Sequence, residues 1–234
     1  MNNPKAKINS QSGINAAINR GLAYRNMDIT NEHVSISAGN KKLGVVANIS
    51  LPPVITCANC SGCKEFCYAV RSFNRLGDNN VWVKNLAIYK KDSARYFEEI
   101  NKACYIYRFF RWHVSGDIVD SNYLLGMVNV ATDNAHCEFL AFTKNYSVVN
   151  AYLDNGGNIP SNLHILFSAA PGVNLNNPYS LPECHINFED EALNTFKGCS
   201  GIAYHCTGNC EECIAKGCGC FNLRNGDVTI INQH

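Results

Sequence analysis

The stretch that decides the fold begins Tyr105-Ile106-Tyr107-Arg108-Phe109-Phe110-Arg111-Trp112-His113-Val114. It is dense in aromatic residues and bounded by polar ones, and it reads as a strand from Tyr105 to Val114. Ser121 to Thr132 carries Tyr123, Leu124, Met127, Val128 and Ala131 at helical spacing, with Ser121 as the expected cap. Cys137 to Thr143 then reads as a strand, Ser147 to Asp154 as a helix, and Leu163 to Ser168 as a third strand closed by Pro171-Gly172. Strand, helix, strand, helix, strand is the order of parallel βαβ units, and it predicts an α/β fold. Open parallel sheets hold their sites at the carboxyl ends of strands. Here those ends are Ser115-Gly116-Asp117, Thr143-Lys144-Asn145 and Ser168-Ala169-Ala170.

Toward the amino terminus, Leu43 to Leu51 reads as a buried strand stopped by Pro52-Pro53. The loop after it belongs to the same end of the sheet. Asn80 to Lys102 has one continuous helical pattern, and a short helix is expected within Ser10–Asn19. Residues 1–42 form a polar, Asn-rich arm and residues 43–183 the βα body. Residues 184–234 carry seven cysteines with little periodicity beyond a strand-like Val228–Ile231. That tail cannot bury much core alone and reads as metal-organised.

The chain has 234 residues, 46% of them hydrophobic, which suffices for one large core. A net charge of +1 argues against a polyanion held by bulk charge. Met1 is followed by polar residues rather than the apolar run of a secretory signal, and no stretch reaches the roughly 18 apolar residues of a membrane span. A cytoplasmic protein with no membrane partner is expected. Thirteen cysteines are then the outlying feature. An odd count cannot pair completely, and a reducing compartment turns such density toward metal.

Cys57, Cys60, Cys63 and Cys67 are spaced C-x2-C-x2-C-x3-C. Four thiolates on one short loop match the ferredoxin run, except that Tyr68 replaces the usual proline. Structural zinc more often takes two separated pairs, so iron–sulfur is favoured here, and not all four need be ligands, Cys57 or Cys60 being the one to spare. In the tail, Cys199, Cys206, Cys210, Cys213, Cys218 and Cys220 form a second set. Cys206-x3-Cys210-x2-Cys213 can hold three irons of a four-iron cube, with Cys218 or Cys220 as the fourth ligand. A zinc knuckle is the alternative. One or two 4Fe–4S clusters are therefore expected, or zinc.

Among single residues, Asp117 is a candidate to hold an amine, or else to cap the following helix. Arg111 and His113 alternate, which places both on one side of their strand. Lys144 at its strand end can take a carboxylate or phosphate. Cys104 and Cys137 read as small buried residues.

These motifs, in order, carry a resemblance. Asn40-Lys41-Lys42, Leu51-Pro52-Pro53, Cys63-x3-Cys67-Tyr68-Ala69, Arg111-Trp112-His113-Val114-Ser115-Gly116-Asp117 with Tyr123, the Cys-rich tail and Ile231-x2-His234 resemble a phage family called gene product 88-like. The resemblance spans residues of about 40 to 234. More distantly, Cys67-Tyr68-Ala69, Ser115-Gly116-Asp117 and Phe142-Thr143-Lys144-Asn145 are similar to the spore photoproduct lyase-like branch of the radical S-adenosylmethionine (SAM) superfamily. That similarity implies a partial βα barrel. It also implies SAM held at Ser115-Gly116-Asp117, so that Tyr68, Ser115, Gly116 and Asp117 are the cofactor-binding candidates, while Asp117, Lys144, His113 and Arg111 are the catalytic candidates read from the residues themselves. The superfamily uses C-x3-C-x2-C, whereas Cys60-x2-Cys63-x3-Cys67 shifts the middle cysteine by one residue.

Two functions follow as expectations. One is a phage-encoded radical SAM-like enzyme in the host cytoplasm, modifying a nucleotide or nucleic acid and served by a reductant protein. The other is a non-catalytic binding module, stapled by zinc or iron–sulfur, for nucleic acid or a host protein.

Overall fold

The computed structural model describes residues 7–76, 80–169, 173–187 and 202–232. Its centre is a seven-stranded sheet in the order β1-β2-β3-β4-β5-β7-β6, parallel throughout. The strands are β1 (Ala47–Asn48), β2 (Phe109–Trp112), β3 (Glu138–Thr143), β4 (Leu163–Ser168), β5 (Glu183–Asn187), β6 (Ala203–His205) and β7 (Val228–Asn232). The α/β class and the parallel sheet are as the alternation requires. Seven α-helices accompany the sheet among the described residues: α1 (Gln11–Leu22), α2 (Tyr68–Arg75), α3 (Val81–Lys91), α4 (Ser93–Cys104), α5 (Ser121–Asp133), α6 (Tyr146–Asp154) and α7 (Cys210–Ala215).

Strands β1 to β5 lie side by side in chain order. Right-handed crossovers taken repeatedly in one direction put every connecting helix on the same face. Accordingly Phe110, Trp112, Phe139, Ala141, Ile165 and Phe167 pack on one face against Leu86, Tyr96, Ile100, Tyr123, Met127 and Val149 of α3–α6. The alternate residues of the same strands point the other way. There Leu140, Leu166 and Cys184 meet Phe221, Leu223, Tyr204 and Ile214 of the carboxyl-terminal segment. The sheet thus has a helix face and a tail face.

Several boundaries differ from the sequence reading. The strand expected over Leu43–Leu51 pairs only at Ala47 and Asn48, and Tyr105–Val114 contracts to Phe109–Trp112. The helix expected over Asn80–Lys102 is two helices, because Asp92 breaks the run and caps α4 through a bond from the Arg95 amide at 3.0 Å. Asp120, not Ser121, caps α5, accepting from the Tyr123 amide at 3.0 Å. The cysteine-rich tail is no separate appendage. Its β7 sits between β5 and β6 and buries Val228 and Ile230, so the tail completes the sheet as well as covering it. The amino-terminal arm also packs on the body. Asn9 Nδ2 donates 2.8 Å bonds to the carbonyls of Lys64 and Cys67 and so braces the cysteine loop.

Candidate metal and ligand site at the carboxyl end of the sheet

The front cysteine loop leaves β1 through Pro52-Pro53 and is clamped to the end of β2. The Leu51 amide donates to the Ser115 carbonyl at 2.8 Å, and Ser115 Oγ donates to the Leu51 carbonyl at 2.9 Å. Ser115 therefore spends its hydroxyl on joining two strand ends. Val54 adopts φ +69°, a left-handed conformation that β-branched residues rarely take. Gly116 at φ +93° meets the same loop so closely that a Cβ there would stand 2.7 Å from Leu51 Cβ. On its far side the loop is tied to β3, where Asn59 Nδ2 donates to the Lys144 carbonyl at 2.7 Å.

These ties gather the front cysteines over the carboxyl ends of β1–β3. The sulfurs of Cys60 and Cys63 are 4.0 Å apart, and Cys60 also bonds Cys57. A hydrogen bond with Cys60 and then the charge of Lys144 draw the Cys63 thiol down to about 6, against its burial. Hydrogen bonding with Cys57 and Cys63, then burial, pushes the Cys60 thiol far up. Burial pushes Cys67 up to about 11. Cys67 precedes α2, and the Tyr68 hydroxyl donates to the Val114 carbonyl, so Tyr68 bridges the loop and the end of β2.

Asp117 is 3% exposed and receives three bonds: Thr143 Oγ1 at 2.6 Å, the Lys144 amide at 3.0 Å and the Ile118 amide at 2.7 Å. Burial raises its carboxyl to about 6 despite those donors. Its bonds tie β2 to β3, and it does not cap a helix. Lys144 is half-buried beside it. Burial disfavours the Lys144 charge, but Cys63, Asp117, Cys57 and Cys67 outweigh that and hold the ammonium above its usual value.

Arg111 and His113 do not share a side of their strand. His113 lies beyond the end of β2 at φ +58°, which breaks the alternation. It turns to the helix face, with its ring 5.2 Å from that of Tyr123. Both of its ring nitrogens are buried without a partner, and burial, then Arg111, lower its pKa to about 3. Arg111 stays on the tail face, its guanidinium 4.8 Å from the Phe142 ring centre.

The tail thiols divide into two neighbourhoods. The Tyr204 hydroxyl lies 2.9 Å from the Cys213 sulfur and 3.6 Å from that of Cys218. Cys210, at the first turn of α7, and Cys220 pack with Cys184 of β5 under the tail, and the Cys220 sulfur is 3.9 Å from Thr229 Oγ1. Cys206 accepts from the Gly208 amide at 3.4 Å. Cys199 and His234 lie outside the described residues. Cys104 and Cys137 are fully buried on the helix face, as small core residues. Among the described residues, no three His, Cys, Asp or Glu side chains are close enough as they stand to hold one ion.

Asn59 and Tyr204 escape the sequence reading, and Thr143 enters it only as part of a strand end, not as the donor to Asp117. Thr143 and Tyr204 sit next to Lys144 and two residues before Cys206, but nothing in their spacing separates such neighbours from ordinary strand residues. No described helix is long and apolar enough to cross a membrane.

No curated protein and no solved structure matches the chain. The radical SAM resemblance gains no support from these comparisons. A family model described as Gene product 88 matches residues 19–185. The match starts before the region that carried the resemblance and ends at His185, so it includes the front cysteine loop and Asp117 but none of the tail cysteines after β5. Since it covers more than half of the 234 residues, the chain belongs to the gene product 88 family.

Proposed function

We propose that this protein is an iron–sulfur enzyme acting on a nucleotide or nucleic acid, with its working centre at the front cysteine loop. The observation that carries the reading is that Cys57, Cys60 and Cys63 adjoin one another at the carboxyl end of a parallel sheet, beside the cation Lys144. Four soft thiol donors from one loop suit a 4Fe–4S cluster, and a neighbouring ammonium offsets the negative charge that thiolate ligation concentrates there. Cys57, Cys60, Cys63 and Cys67 would hold the cluster. When bound, such a cluster supplies one-electron chemistry. The chain's own residues do the positioning. Asn59 fixes the loop to β3, Asn9 fixes its far end, and Asp117 locks the ends of β2 and β3 beneath it.

SAM is the co-substrate that the distant resemblance implies, and a partial βα barrel is the finer fold it implies. In that reading Asp117 acts through the strand ends it joins, because its carboxylate already serves three donors. The tail thiols support a second reading, a zinc staple. Cys213 and Cys218 share one tyrosine hydroxyl and lie outside the family match.

Oxygen-free purification followed by iron, sulfide and zinc analysis tests the proposal. Brown protein absorbing near 400 nm, with iron lost in Cys63→Ser and Cys67→Ser, is the expected result. Colourless protein with stoichiometric zinc and no iron overturns the iron–sulfur assignment and favours the binding module. Formation of 5′-deoxyadenosine from SAM under reduction tests the radical branch separately.

A further inference from the structure

Near the carboxyl end of the sheet two cations have no direct ion pair among the described residues, although Asp117 and the front-loop thiols lie within electrostatic reach of Lys144. Arg111 and Lys144 are both half-buried. Among the described residues neither side chain has an ion-pair partner within 4.0 Å or a side-chain hydrogen bond, although ten other pairs of that kind occur. Arg111 Nε is buried with no hydrogen-bond partner among the described residues, and the guanidinium lies over the face of Phe142. Burying a charge without a partner is costly, so such groups ordinarily come with a counter-ion.

The sheet register brings the two together. Arg111 stands opposite Leu140 on β3. Leu140 and Phe142 share the tail face with Arg111, and Lys144 follows Phe142 just past the end of β3. The β3–β4 pairing ends at Thr143 with Phe167, one residue before Lys144, and Ser168 pairs with Cys184. Cys184 and Tyr68 each lie within electrostatic reach of both cations. The two cations therefore look onto one space, between the front loop and the cysteine-rich tail.

We propose that Arg111 and Lys144 together bind the phosphate group of the substrate. A phosphate monoester carries about −1.5 to −2 charges at neutral pH and offers three acceptor oxygens. It can neutralise both cations at once, whereas a single carboxylate leaves one unpaired. A planar guanidinium and a point-like ammonium are the usual pair for such a group. The carboxyl ends of parallel strands are also where open α/β sheets hold phosphorylated ligands. This deepens the nucleotide reading above and shares its location, but it does not require the cluster.

Full-length protein, purified without oxygen, is titrated with adenosine 5′-monophosphate, adenosine, inorganic phosphate and acetate by calorimetry, with iron measured on each sample. The monophosphate and inorganic phosphate are expected to bind saturably, and adenosine and acetate to bind at least ten-fold more weakly. Arg111→Gln and Lys144→Gln should each weaken phosphate binding ten-fold or more, and Arg111→Gln should do so without changing iron content. Wild-type protein supplies a check that needs no variant to fold, its preference for phosphate over acetate. The inference is overturned if phosphate does not bind saturably, if acetate binds as tightly, or if both folded variants bind like wild type. Phosphate binding by iron-free protein would sink the cluster and leave this site standing. Iron-loaded protein that ignores phosphate would do the reverse.

Discussion

Thr143 Oγ1 donates to Asp117 Oδ1 at 2.6 Å, joining the ends of β2 and β3 beyond their last backbone pairing, Trp112 with Ala141. The Lys144 amide bonds the other carboxylate oxygen at 3.0 Å. The backbone under Lys144, and through Asn59 the front cysteine loop, is thereby set by one buried acid.

That acid makes stability depend on pH in a definite direction. Burial raises the Asp117 carboxyl to about 6, above its usual value of 3.8. Between those values the folded state holds a proton that the unfolded state has released. Asp117 therefore favours folding most at low pH, and its contribution is lost as pH rises through about 6. The unfolding free energy of wild type minus that of Asp117→Asn should fall between pH 4 and pH 6.5 in urea titrations. A difference that rises over this range would contradict the burial argument.

Asn162, buried just before β4, should matter more than the exposed polar residues of the β3–β4 connection. Its Nδ2 serves the carbonyls of Ala131, Asn134 and Cys137 at 2.9, 3.2 and 2.9 Å. Asn162→Ala leaves buried acceptors without a donor and should cost about 2–3 kcal/mol. Asn162→Asp should cost more, because an acceptor would then face acceptors. Urea midpoints at constant m-value measure both.

Two glycines separate strain from collision. Gly156 is at φ +79° with open space around its would-be Cβ, so Gly156→Ala should cost about 1–2 kcal/mol from backbone strain alone. Gly116 is at φ +93°, and its Cβ would also stand 2.7 Å from Leu51 Cβ and 2.9 Å from Thr56 Oγ1. Gly116→Ala should therefore destabilise by clearly more than Gly156→Ala, and it should also lower front-site metal content by shifting the loop. Equal losses in thermal unfolding would show that the loop yields freely.

The cysteines should sort by position. Cys104→Ser and Cys137→Ser lie in the helix-face core and should lower stability while leaving metal content unchanged. Cys63→Ser and Cys67→Ser should remove front-site metal. Elemental analysis of the four variants decides this, and metal loss from Cys137→Ser would refute the division.

Much of this arrangement was legible in the chain alone. Apolar runs at two- and 3.6-residue spacing reveal β2, β3, β4, α5 and α6, and the Cys57–Cys67 spacing marks a cysteine-dense loop after β1, because both are local patterns. Boundaries were misplaced where a side chain overrode the pattern. Asp92 split one expected helix, Asp120 displaced Ser121 as a cap, and His113 left the alternation at the end of β2.

What the sequence determined by itself was the α/β class, the parallel alternation and the thiol loop after β1, because short-range spacing dictates each of them. Only the tertiary structure decided that the cysteine-rich tail supplies β6 and β7 and covers one face of the sheet, that Asp117 is consumed in joining strand ends, and that Arg111 Nε is buried with no hydrogen-bond partner among the described residues. Those outcomes depend on contacts between residues tens of positions apart. Burial and charge act through space, and spacing along the chain carries no record of which distant groups they bring together.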